Sequence, residues 1–457
     1  MSRALSLTTD PIDRLTWRIA WPMSIGMFFN TMYNVVDTWC AGWLGTEALA
    51  ALSLSFPVFM VVMVTGSGLS QGTTALMAQA WGGGRPEEAK HVFAQSLLLA
   101  LAAGLVMSVV GNLAAGPIFR LLGAEGSYLT KAQDYMRPVL YGSIFILMPM
   151  ALNAALMALG ETRHFRNFLI GGFVANCALN PVLMWGWGPF PEMGVSGLAV
   201  ATVLIQAGGV GFLGRQAWRS EVGHGLAASH FKPDAAVLRQ IAGQGVPAAL
   251  NMLTVALGVF VITWFVQRFG KEAVAAIGIA TRVEQIVLLP AMGLNTAVLS
   301  IVGQNHGAGL PERVREAWVT AIKAGAGLMI LGGFFVGFLR GPAMRLFTPD
   351  ETVISHGSDY LLTSAITLAA YPILFITVFA MQGIKRPAYG LWMGISRQLV
   401  APFLVYQTLA FGLGWGLWGI WWGITCVTWS AALFSLYWGY RRFCRPSLST
   451  IKAVSQD

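Results

Sequence analysis

The chain has 457 residues, 56% of them hydrophobic and 11% charged, with a formal net charge of +9 and a mean hydropathy of +0.63. So few charges on so much apolar surface exclude a soluble globular domain and point to a polytopic membrane protein. The basic excess is scattered among short segments without interleaved aromatics, so it reads as topology-setting loop charge and not as a nucleic-acid footprint.

A crossing needs ~20 apolar residues over ~30 Å of hydrocarbon. Twelve such windows follow one another, starting near Leu15, Leu49, Val92, Leu129, Asn167, Val195, Leu238, Val274, Val319, Tyr360, Tyr389 and Leu417. The first runs to about Trp39 with no cleavage site, so it is expected to remain as a spanning helix. Within it Asn30, Tyr33, Asn34 and Asp37 recur at steps of three and four and share one helix face. An Asp at a helix centre costs ~2.5–3.5 kcal/mol by insertion scales, so Asp37 is expected to face a polar cavity and to serve function. Burial favours the neutral carboxyl, which puts proton uptake and release within reach. The competing reading places Asp37 at the watery outer end of the helix, since Gly42 and Gly45 follow soon after.

The fifth window offers Asn176 and Asn180, and the sixth Thr202 and Gln206, each pair four apart and therefore on one face. With Asp37 they can build one polar pocket in the first half; the alternative is interhelical glue. Residues 217–236, with Gly, His and Ser, read as a linker. In the eighth window stands Glu284, two residues from Arg282 and so on a different side of the helix. Either it pairs with a basic group such as Arg397 of the eleventh window, or it serves transport. The other eighteen acidic residues fall in termini, loops or helix ends by this reading.

Cys40, Cys177, Cys426 and Cys444 are far apart, and His164, His224 and His306 show no metal spacing. No HExxH or comparable constellation supports an enzyme, and no cofactor is expected. About twenty Lys and Arg side chains fall on one side of the twelve crossings and about seven on the other, so both termini are expected to be cytoplasmic, in a cell (inner or plasma) membrane.

An internal repeat is the strongest pattern. AQAWGGGRPEEAK from Ala78 matches GQNHGAGLPERVR from Gly303 at an offset of 225. The same offset carries TEALAAL onto KEAVAAI, Pro22 onto Pro247, and Asp134 and Tyr135 onto Asp359 and Tyr360; it puts Ile262 opposite Asp37. Two six-helix halves of one orientation imply an all-α carrier with pseudo-two-fold lobes around a substrate site. The expected division is a cation-coupling N-terminal lobe at 1–216, the cytoplasmic linker at 217–236, a C-terminal lobe at 237–445 and a cytoplasmic tail at 446–457.

Pro22 with VVDTWCAGWLGTEALAAL, NCALNPVLMWGWG followed by GVSGLAVAT, and RVEQIVLLPAMGLNTAVLSIVGQNHGAG resemble the multidrug and toxic compound extrusion (MATE) family over essentially the whole chain. The resemblance implies an efflux antiporter exchanging amphiphilic drugs or organic cations for H⁺ or Na⁺; a monomer without a cofactor is expected. It implies that Asp37 is the coupling carboxylate, with Asn176, Asn180 and Thr202 matching the polar residues near it and Tyr33 a polar position of the same lobe; with Asn34 of the Asp37 helix face, these are the candidate H⁺ or Na⁺ site. It makes Pro22 a bend in the first helix and Asn153 a polar position of the same lobe. Asn30, Asn153, Glu284, Arg282 and Gln206 are candidates for a substrate cavity or second polar site. One branch of the family has Asp where this chain has Asn180, and another has acidic residues in helices seven and ten, where this chain has none. Coupling is thus expected in the first lobe alone. The alternative function is a lipid-linked precursor flippase of related architecture, which would need a strongly basic central cavity; only Arg282 and Arg397 hint at one.

Overall fold

The computed structural model describes residues 6–444, and among them every regular element is helical. The first half holds α1 (Ile12–Trp43), α2 (Thr46–Gly82), α3 (Pro86–Val106), α4 (Asn112–Leu121), α5 (Gly126–Tyr141), α6 (Ser143–Ala158), α7 (Thr162–Trp185) and α8 (Val195–Arg219). The second holds α9 (Ala235–Val266), α10 (Lys271–Gly307), α11 (Pro311–Arg345), α12 (Glu351–Thr367) and α13 (Ala370–Gly383). It ends with α14 (Ala388–Ile395), α15 (Ala401–Tyr406) and α16 (Gly416–Gly439). Short π turns join α3 to α4 (Met107–Gly111) and α14 to α15 (Ser396–Val400), and another follows α15 (Gln407–Gly412).

Eight of these helical runs are long and apolar enough to cross a membrane unaided. The pairs α5/α6 and α12/α13 pass the same test together, bent by 47° and 52°. The 32-residue α1, diluted by its polar stripe, and the π-interrupted run from α14 to Gly412 complete twelve crossings. Bending also revises the placement of Asp134 and Asp359. Both stand well inside α5 and α12 and not at helix ends, because the first arm of each bent pair starts earlier than a straight crossing would.

The repeat is visible in the element bounds. α2 and α10 are each 37 residues long and open 225 residues apart, after Gly45 and Gly270, whose φ values are 100° and 103°. That backbone favours glycine, so the same residue type cuts both chains at the same point. Pro86 and Pro311 then open α3 and α11 in the first turn, where backbone N–H groups have no intrahelical partner to lose.

Packing divides the chain after Ser24 and after Ala249. One compact unit is Ile25–Ala249, and the other gathers residues 6–24 with 250–444. The expected lobes follow the repeat, whereas the units follow packing, and they differ over the starts of α1 and α9. The tail 446–457 lies outside the described residues. In the first unit α6 packs on α2, α3 and α8. The start of α9 closes on α2 there: a Cβ on Gly68 would stand 2.5 Å from the Gly245 carbonyl oxygen, and one on Gly72 would stand 2.8 Å from the Gly245 nitrogen. Glycine permits this backbone approach, as at other small-residue crossings in membranes. In the second unit α10 packs on α11, α12 and α13, and Leu7, Ile12, Leu15 and Ile19 are buried against Leu294, Val298 and Trp318.

Residues 217–236 are tied to α3. Gln95 donates 2.8 Å bonds to the carbonyls of His230 and Lys232, His230 Nε2 lies 3.1 Å from Glu87, and His91 Nε2 lies 3.2 Å from Asp234. The bond from His91 holds the Asp234 carboxyl below the usual carboxylate range.

Candidate functional site

α1 turns Asp37 into the unit Ile25–Ala249, where it is 8% exposed. One turn apart on α7, Asn176 and Asn180 are fully buried, and each donates its Nδ2–H to the same oxygen, Asp37 Oδ1, at 2.8 Å. Asn176 Nδ2 also lies 3.4 Å from Asn180 Oδ1. One turn before Asp37, the Tyr33 hydroxyl donates to Thr202 Oγ1 of α8 at 2.9 Å. Five of the expected residues thus come together from three helices, and the watery-end reading of Asp37 does not hold.

Two donors on one oxygen leave Asp37 Oδ2 without a bond to any described residue. Beside it, Asn176 Oδ1 is a buried acceptor with no partner. A buried unpaired oxygen such as Asn176 Oδ1 costs about 1–3 kcal/mol, and a proton or a small cation held on Asp37 Oδ2 would satisfy it. Na⁺ would need further oxygens, for which Thr202 Oγ1 and the Tyr33 hydroxyl are candidates, and a proton needs Oδ2 alone.

The other expected residues are placed differently. Asn34 is exposed and turns its Nδ2–H back to the Asn30 carbonyl of its own helix at 2.8 Å, so neither joins the bonds around Asp37. Asn153 is buried in α6 with its amide on Met157 Sδ at 3.0 Å and its Oδ1 unpartnered. Gln206 is half-buried on α8 and makes no bond to Asp37. Pro22 lies inside α1, which runs through it as one helix. Tyr135 of α5, half-buried and within reach of the Asp37 charge, was missed as a site residue. Its signal was available: the repeat pairs it with Tyr360.

Tyr360 marks the second polar cluster, in the unit of residues 6–24 and 250–444. Its hydroxyl donates to Glu284 Oε2 at 2.6 Å, while Glu284 Oε1 and the nearby Ser364 Oγ are buried without partners. Each unit therefore sets its repeat-related tyrosine beside its own buried carboxylate. Glu284 makes no ion pair within 4.0 Å with Arg397, so that expected pair is not formed; Tyr360 has taken the carboxylate instead. Arg282 is exposed and separate from this cluster.

The MatE family model matches residues 22–182 and 247–406. A Shewanella oneidensis protein described as an FAD transporter is 29% identical over 86% of both chains. A Bacillus subtilis protein described as a probable multidrug resistance protein is 28% identical over 86% of this chain and 91% of its own. A crystal structure of a MATE protein in its bent conformation superposes with a TM-score of 0.90 at 26% identity, covering 100% of both chains.

Proposed function

Because the chain belongs to the MatE family of multidrug efflux transporters, we propose that it is an antiporter that exports amphiphilic drugs and organic cations in exchange for H⁺ or Na⁺, coupled through Asp37. The observation that carries this reading is the asymmetry of Asp37: Oδ1 is pinned by two amides, and Oδ2 is unbonded inside a membrane crossing. Loading Oδ2 with a cation neutralises the only carboxylate on this polar stripe. Unloading it leaves a charge that must be solvated or paired, so the two states favour different packings of α1 around Pro22. Cargo and cation then exclude one another through those packings. The carrier works as a monomer in the plasma membrane with both termini cytoplasmic, and the cargo undergoes no chemistry.

The driving force is adequate. One charge moving inward contributes ~2.3 kcal/mol per 100 mV, and one pH unit adds ~1.4 kcal/mol. A combined ~2–4 kcal/mol sustains a ~30- to 1000-fold gradient of a neutral drug exchanged one for one. A single carboxylate favours H⁺ over Na⁺.

The test is Asp37→Asn in proteoliposomes, with proton and sodium gradients imposed separately. Loss of cation-driven export at normal protein level is expected, and full export by the variant would remove the coupling role. Export that persists in sodium-free buffer and collapses with a protonophore supports H⁺. A second reading, export of a flavin dinucleotide, is favoured by the Shewanella oneidensis relative's description as an FAD transporter.

A further inference from the structure

The cluster around Glu284 contains a positive charge that the proposed coupling cycle does not use. Where α14 gives way to the π turn Ser396–Val400, Arg397 is only 9% exposed within a membrane crossing. A guanidinium in that position is costly unless it is paired. Among the described residues no carboxylate lies within 4.0 Å of it. Glu284, the nearby acid, is held at 2.6 Å by Tyr360, and the Tyr371 hydroxyl lies within interaction range of both charges. The Tyr371 and Phe375 rings have their centroids 5.9 and 5.8 Å from Arg397 Cζ, at the outer limit (~6 Å) of cation–π attraction.

Arg397 also lines a shallow recess, with room for little more than a water-sized group, together with Asn251, Val255, Phe375, Met393 and Gly394. Gly394 is what lets Asn251 in, since a Cβ there would stand 2.5 Å from Asn251 Oδ1. An amide and a guanidinium thus share a small, mostly apolar pocket. From this geometry we infer that Arg397 and Asn251 form an anion-binding pocket that takes the carboxylate of an amphiphilic cargo. The substrates would then include anionic amphiphiles as well as cations. This rests on the reading of the chain as an exporter.

Two xanthene dyes of similar shape and opposite charge test it: fluorescein, with a free carboxylate, and rhodamine 6G, a cationic ester. The full chain in phosphatidylcholine vesicles is expected to bind and export both. Arg397→Gln should lower fluorescein binding and export about tenfold or more, the usual scale for a charge-assisted pair, and leave rhodamine 6G within about twofold. Asn251→Leu, measured in the same way, covers the case in which the arginine variant does not fold. Equal loss of both dyes would make Arg397 structural and overturn the proposal. So would displacement of fluorescein by added phosphatidylglycerol, which would assign the pocket to a lipid headgroup. Export of rhodamine 6G with no binding of fluorescein defeats the pocket alone. If neither dye is exported under either gradient, the export reading fails, and dye binding measured by anisotropy still decides the pocket.

Discussion

At Asp37 a single oxygen accepts two amide N–H groups while the tyrosine one turn earlier bonds elsewhere, to Thr202. This ranks the residues. A hydrogen bond to a charged group contributes about 1.5–3 kcal/mol and a neutral one about 0.5–1.5. Asn176→Leu should therefore lower the rate of rhodamine 6G export about ten- to hundredfold, and Tyr33→Phe about two- to tenfold. Asn176 and Asn180 share one acceptor, so the double variant should cost less than the sum of the singles. Export rates at matched protein level check this order, and a larger loss for Tyr33→Phe would reverse it. Much of the site was legible because helical spacing is local: three-and-four steps aligned Tyr33 with Asp37, and Asn176 with Asn180. The same spacing overreached at Asn30 and Asn34, since a shared face does not say whether a side chain reaches a neighbour or bonds its own backbone. Tyr135 and Arg397 depend on which helices pack together, and spacing within one helix carries no trace of that.

Among the helices, the starts and lengths of α2 and α10 followed from the repeat, but their crossings did not. Gly245 can be told from Gly243 only in three dimensions. A Cβ on Gly245 would lie 2.8 Å from the Gly68 carbonyl oxygen, and one on Gly243 meets nothing within 4 Å. Overpacking a tight contact costs about 1–3 kcal/mol, and more where backbone is struck. Gly245→Val should therefore lower the melting temperature of the purified protein and reduce the folded yield, whereas Gly243→Ala should leave both near wild type; equal melting temperatures would deny the close crossing. The bends were hidden for a related reason. The apolar run from α5 to α6 reads as one helix, and its 47° bend centres on Gly142, where a Cβ would strike Val203 of α8 at 2.5 Å. Pro138, one turn earlier, and Gly142 itself weaken the helix there, and packing against α8 sets the angle.

For the whole molecule, the 225-residue offset gave two equal halves, yet packing places residues 6–24 with the second half's helices and residues 225–249 with the first half's. Each compact unit thus includes helix from the other half of the chain, a long-range association that no local pattern encodes. The second unit relies on that segment: Leu7, Ile12, Leu15 and Ile19 are all within 1% of full burial in its core, and Arg313 donates to the Asp10 carbonyl at 2.6 Å. Truncating a buried Leu or Ile to Ala typically costs about 2–5 kcal/mol, so a half that loses all four loses more than a typical net folding stability of about 5–15 kcal/mol readily tolerates. Residues 225–457 expressed alone should consequently aggregate, and co-expression with residues 1–224 should restore a monodisperse species by size exclusion. In the intact chain Leu15→Ala should lower the melting temperature clearly more than Trp21→Ala, because Trp21 is 60% exposed. A monodisperse 225–457 fragment that melts with the full chain would show that the second unit holds together without the start of α1.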